Sequence, residues 1–202
     1  MDQKNFTKTV PEHVDGKIIN AERFRDLSDT NIAKAVYETA RKRLLDVNKW
    51  NKISSGGLAD FQLSDAHGAA VSGPVQQGLY FRVDIPGPGS DAGGGYDWVF
   101  VEKIEGYETE DVQSIAVRVR PSANPAGDDV RTAHFYTSEA TSTFTVTREK
   151  LRVTAAVYDR NIKVNEDSDQ VLDRARNMVV GTVGRMVFSR IQWEDLAAAW
   201  LE

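Results

Sequence analysis

Apolar and polar residues alternate with period two in stretch after stretch of this chain. Ala59, Phe61 and Leu63 alternate with Asp60, Gln62 and Ser64, and Leu79, Phe81, Val83 and Ile85 alternate with Tyr80, Arg82 and Asp84. Ile115, Val117 and Val119 follow the same rule, as do Leu151, Val153, Ala155 and Val157. Between them, Trp98 to Ile104 is more continuously apolar and Thr141 to Arg148 is rich in threonine. Successive side chains of a strand point to opposite faces, so the pattern gives strands with one face on a core and the other in water. No helix-sized insert separates the stretches, and parallel pairing needs a crossover of about a dozen residues or more. The Thr147-Arg148-Glu149-Lys150 corner is short enough for a tight hairpin. An antiparallel meander of six or seven strands is predicted, Val130 to Tyr136 among them, and Val14 to Ile19 can add a short edge strand.

Helices flank the strands. Ser28 or Asp29 is a competent N-cap for a helix running to about Trp50, with an apolar stripe of Ile32, Val36, Ala40, Leu44 and Val47. Arg41, Lys42 and Arg43 fall mostly off that stripe and read as a solvated face. Ser168 caps a second, longer helix whose wide apolar face runs from Val171 to Val187 and includes Met178 and Thr182. Gly181 and Gly184 lie inside it, each at a cost of about 1 kcal/mol relative to alanine, which predicts close packing on the sheet. A last helical segment, Ile191 to Leu201, sets Trp193, Leu196, Ala197 and Trp200 on one face. Two tryptophans are too much apolar surface to leave in water, so that face is expected to dock within the chain or on a second copy. The reading is one α+β domain over residues 1–202, with an N-terminal segment 1–28, a helix–sheet–helix core 29–189 and a helical tail 190–202.

Composition excludes more than it assigns. The net charge of −5 comes with no basic stripe, which argues against phosphate-backbone binding to nucleic acid. Cysteine is absent, removing disulfides, thiolate metal sites and thiol nucleophiles together and fitting a reducing, cytoplasmic setting. Residues 1–20 lack the apolar core of a signal peptide, and no stretch reaches the roughly 18 apolar residues of a membrane-spanning helix. Pro86 to Gly95 is half glycine, but it leads into the strand-like Tyr96 to Ile104. A phosphate-binding glycine loop opens a helix, so this one is expected to be a hairpin tip and a mobile flap.

Catalytic constellations are sparse. His13, His67 and His134 are far apart and outside metal-ligand spacing, so neither a metal nor another cofactor is expected. His134 shares a predicted strand face with Thr132 and Tyr136. Glu102 shares one with Trp98, Phe100 and Ile104, either as a carboxylate in an apolar wall or as a salt-bridged glutamate. Arg118, Arg120 and Arg152 lie on the polar faces of their strands and read as surface ion-pairing groups.

The order of elements, with Val47-Asn48-Lys49-Trp50 followed by a strand and with Gly78-Leu79-Tyr80-Phe81-Arg82-Val83, resembles the helix-grip architecture of the START and Bet v 1-like superfamily. Polyketide cyclase-like proteins belong to that superfamily. The resemblance covers roughly Ser28 to Ser189. It implies a curved sheet gripping the long helix, with a cavity between them for hydrophobic ligands. Members usually begin with a strand, for which only Val14 to Ile19 is available, and usually end at the long helix, which this chain outruns through Leu201. Geometry leads the same way, since a curved sheet and one helix leave a wedge of the kind apolar ligands occupy. The expected lining is Phe61, Phe81, Val83, Val117, Phe144, Val153, Met178 and Thr182, with Glu102 and His134 as its polar members. The function expected is binding of a small hydrophobic molecule. The alternatives are a cyclase- or hydrolase-like enzyme using Glu102 or His134, and an interaction module or homodimer formed through the C-terminal helix.

Overall fold

A computed structural model describes residues 4–54, 59–84, 92–165 and 190–202. Among the described residues there are seven strands, β1 (Lys17–Asp26), β2 (Asp60–Ser64), β3 (Tyr80–Asp84), β4 (Asp97–Glu108), β5 (Val112–Pro121), β6 (Thr141–Glu149) and β7 (Arg152–Ile162). They form one antiparallel sheet in the order β1-β7-β6-β5-β4-β3-β2. From β2 to β7 each strand pairs with the next in sequence, and β1 adds to the far side of β7. The meander is thus as expected. Its seventh member is not Val130 to Tyr136, which is irregular apart from an isolated bridge between Tyr136 and Val164. It is β1, which starts three residues after Val14 and runs on to Asp26.

Helix α1 (Thr30–Leu45) is capped by Asp29, whose carboxylate accepts the amides of Asn31 and Ile32 at 2.8 and 3.0 Å. Its buried face is Ala33, Tyr37, Ala40 and Leu44, rotated from the expected stripe, so that Ile32 is exposed. Tyr37 is the reason: its ring supplies the area that Ile32 was expected to supply, and burial pushes its phenol up to about 12. The helix ends at a 3-10 turn (Val47–Lys49) and the short helix α2 (Trp50–Ile53). The C-terminal helix α3 (Arg190–Leu201) lies over β1, β7 and α1.

α1, α2 and α3 all pack on one face of the sheet, which we call the inner face. Phe61, Leu63, Phe81, Val83, Val101, Val117, Phe144, Val146, Val153, Ala155 and Val157 point into it and are buried in a single core. On the outer face, Ser114, Thr143, Thr145, Thr147 and Thr154 are buried beside Ala116 and Ala156. The N-terminal residues cross that face. Val10 packs on Ala156 and Tyr158, Phe6 stacks on Tyr107 at 5.8 Å, Lys4 pairs with Glu149, and Arg118 Nη1 donates to the Thr9 carbonyl at 3.0 Å.

Of the glycine stretch, residues 92–95 are described and form a turn. A Cβ on Gly93 would sit 1.8 Å from the Tyr96 carbonyl oxygen, and Gly93 itself accepts the Trp98 indole N–H at 3.0 Å. Residues 86–91, the rest of the expected flap, lie outside the described residues. The helix expected from Ser168, with Gly181 and Gly184, lies outside the described residues.

Candidate functional site

The expected lining divides into three groups. Phe61, Phe81, Val83, Val117, Phe144 and Val153 meet on the inner face, as their alternation requires. They do not border an empty wedge, because Trp50 fills the space between them. Its ring lies 5.3 Å from Phe61, 5.7 Å from Phe81, 4.8 Å from Phe144 and 5.4 Å from Trp200. The Trp50 indole N–H donates to the carbonyls of Arg43 and Leu44, at the C-terminal end of α1. Met178 and Thr182 lie outside the described residues.

Glu102 and His134 go elsewhere. A β-bulge interrupts the β4–β5 register between Val101 and Lys103. Glu102 stays on the outer face with Trp98 and Phe100, and the extra residue turns Ile104 inward. The carboxylate accepts Arg118 Nε at 2.6 Å and Arg120 Nε at 3.0 Å, with Arg120 Nη2 2.8 Å away. The reading of Glu102 as a carboxylate within the apolar cavity is therefore corrected: Glu102 is the salt-bridged glutamate of the outer face. His134 lies on the irregular segment before β6, not on a strand. That segment folds across the end of the sheet, with Trp98 N donating to Ala133 O and Ala133 N to Ser122 O. Asn165 holds it from the other side, its amide nitrogen donating to the carbonyls of Thr132 and His134 at 3.1 Å each.

This closure creates a polar corner at the end of the inner face. His134 Nδ1 accepts the Tyr136 backbone N–H at 2.9 Å, which places the proton of neutral His134 on Nε2. Asp159 is buried at 3% exposure on the inward side of β7, next to Ser142 of β6. Its Oδ2 accepts the Trp193 indole N–H from α3 at 2.8 Å, whereas Oδ1 has no hydrogen-bond partner. Burial pushes the Asp159 carboxyl up to about 6, against the opposing pull of hydrogen bonds from the Ser142 and Trp193 side chains and of the Arg160 charge. Burial also raises the Tyr136 phenol, helped by the charges of Asp159 and Asp97. Asp159, His134, Tyr136, Ser142 and Thr141 line a cavity of about 20 Å³, closed by the apolar side chains of Val99, Val119 and Ile162. That volume holds about one water-sized group. The Thr141 hydroxyl likewise has no partner, and the same is true of the indole N–H of Trp200.

Asp159 is a functional candidate with no motif around it, yet the sequence carries a signal for it. The alternation Val153, Ala155, Val157 extends to Asp159, and a carboxylate in an inward slot is the departure to look for. Trp193 was identified as a buried anchor, but not as a donor to a carboxylate. Its helix face, with Leu196, Ala197 and Trp200, is buried against its own chain, leaving none of those four side chains for a second copy. Of the basic triplet, Arg43 is no solvated bystander: it reaches the carbonyls of Ala199 and Trp200 at the end of α3, beside Arg25, which donates to the Leu201 carbonyl at 2.7 Å.

Among the described residues, no group of three His, Asp or Glu side chains is placed to hold a metal ion. None of the described helices is long and apolar enough to cross a membrane. No protein-family model matches the chain, and no curated protein does. Among solved structures, a hypothetical protein of Helicobacter pylori, jhp0584, is similar over 71% of this chain and 68% of its own, at 14% identity and a TM-score of 0.41. Ara h 8.0201 is similar over 92% of this chain and 99% of its own, at 9% identity and a TM-score of 0.36. Both likenesses are too distant to bear on activity.

Proposed function

We propose that the protein binds a small, mainly apolar molecule against the inner face of its sheet, with the molecule's polar group at Asp159. One observation carries this reading. Asp159 has a buried carboxylate oxygen without a partner and lines a cavity where His134, Tyr136, Thr141 and Ser142 meet the apolar Val99, Val119 and Ile162, and such groups in native structures call for an explanation. The unmet indole N–H of Trp200 on the same face supports it. The absence of cysteine supports a cytoplasmic setting. Native mass spectrometry of the purified chain, with Nile red uptake as a second readout, tests the proposal. A copurified small molecule or a saturable blue-shifted emission is expected; a bare chain that takes up no dye overturns it.

A catalytic reading of the same cavity has one observation in its favour, namely that His134 lines it together with Asp159. It predicts that a molecule copurified with the wild type differs chemically from the one trapped by His134→Gln. Identical molecules in both preparations would remove that reading.

A further inference from the structure

We infer that the molecule held at Asp159 presents a hydrogen-bond donor, a protonated amine in preference to a hydroxyl, and that carboxylates are rejected. The inference rests on the ligand-binding reading above and specifies its chemical class. An ionised carboxylate has acceptors only, so the free Oδ1 of Asp159 is satisfied by a donor and by nothing else. The Thr141 hydroxyl, also without a partner, donates or accepts and does not change that requirement.

Charge points the same way. Asp97 is a second acid buried at this end of the sheet, and its charge acts on Tyr136 together with that of Asp159. The cation adjoining them, Arg160, is committed to the Ile19 carbonyl, the Asn20 amide oxygen and the Asp159 carbonyl. A guest carboxylate would bring another negative charge to a buried site with no uncommitted cation described beside it, whereas an ammonium would neutralise one already there. Size agrees as well. About 20 Å³ takes an ammonium or hydroxyl head and leaves no room for a ring, so only the head of the molecule enters this cavity.

The test is competition against Nile red by octylammonium, octanol and octanoate on the wild-type chain at neutral pH. Octylammonium is expected to displace the dye at a concentration about tenfold or more below that of octanoate, with octanol between them. In Asp159→Asn the ratio between amine and carboxylate should fall towards one. Octanoate binding as tightly as octylammonium overturns the inference while leaving ligand binding intact, and so does an Asp159→Asn chain that keeps the full preference. If neither dye nor any octyl compound binds, the ligand-binding reading itself fails and the cavity holds a water only. The ranking is read on the wild type, so a variant that does not fold leaves the test standing.

Discussion

Arg148 and Asp159 are both charged side chains buried on the inner face, about 20 Å apart along the strands, and the fold treats them in opposite ways. Arg148 gives Nε to the Gln113 side-chain oxygen at 2.7 Å, Nη1 to the Lys150 carbonyl at 3.1 Å and Nη2 to the Glu110 carbonyl at 3.0 Å. Its acceptors are neutral, and they tie the tip of the β4–β5 hairpin to that of β6–β7. Asp159 keeps one oxygen bare beside a cavity. Burial of charge therefore does not mark a site by itself. A buried carboxylate oxygen left without a partner beside a cavity does, and it separates a structural clamp from a place where a guest belongs.

Breaking the closed end should have the largest effect. Arg148→Met removes the clamp and orphans three acceptors, and we expect a loss of about 3–4 kcal/mol in urea unfolding. A loss below about 1 kcal/mol would mean that the hairpin tips hold each other without it.

The open end should show itself through pH. Burial lifts the folded-state value of Asp159 from the ordinary 3.8 to about 6. A raised carboxyl favours the folded state when protonated, so its contribution is complete below about pH 4 and is lost as pH rises through 6. The stability difference between wild type and Asp159→Asn should shift by about 2 kcal/mol between pH 4 and pH 7, with the wild type gaining in acid. A difference that does not vary with pH would show that Asp159 does not titrate in this window.

Trp193→Phe keeps an aromatic anchor on α3 and removes the donor to Asp159 Oδ2. A loss of about 1–2 kcal/mol at pH 7, shrinking towards pH 4, is expected from thermal or urea unfolding. The smallest effect should come from Arg43→Gln, which takes a cation from the carbonyl end of α3. About 0.3–1 kcal/mol is expected, visible as faster amide exchange in the last turn while the protection of β6 and β7 is unchanged.

Much of the sheet was legible because alternation is a local signal that the finished structure reinforces. Phe81 and Val83, or Val117 and Phe144, point inward in any antiparallel arrangement that buries one face. Alternation does not reveal the full length of β1, because Arg23 and Arg25 occupy its inward slots. They are accommodated by Glu194 and the Leu201 carbonyl, which come from the other end of the chain. Glu102 was misplaced beside Ile104 by a single extra residue, since a bulge moves every later side chain to the other face. His134 was given a strand because Val130 to Tyr136 has the composition of one, although its partners are Trp98, Ser122 and Asn165. The polar corner depends on these long-range closures, and for that reason it had no motif to announce it.

The pairing of β1 with β7 has a consequence for how the molecule is made. β1 precedes the other described strands along the chain, yet Ile19 lies beside Asp159 and Asp26 beside Arg152. Strands β2 to β7 each pair with a neighbour in sequence, whereas β1 pairs with β7, the last of the described strands. Loop-closure entropy makes such distant partners slow to meet, and the waiting strand is exposed to other chains in the interval. Arg23, Arg25, Glu22 and Asp26 along β1 make it a poor strand for mispairing until its own partner arrives.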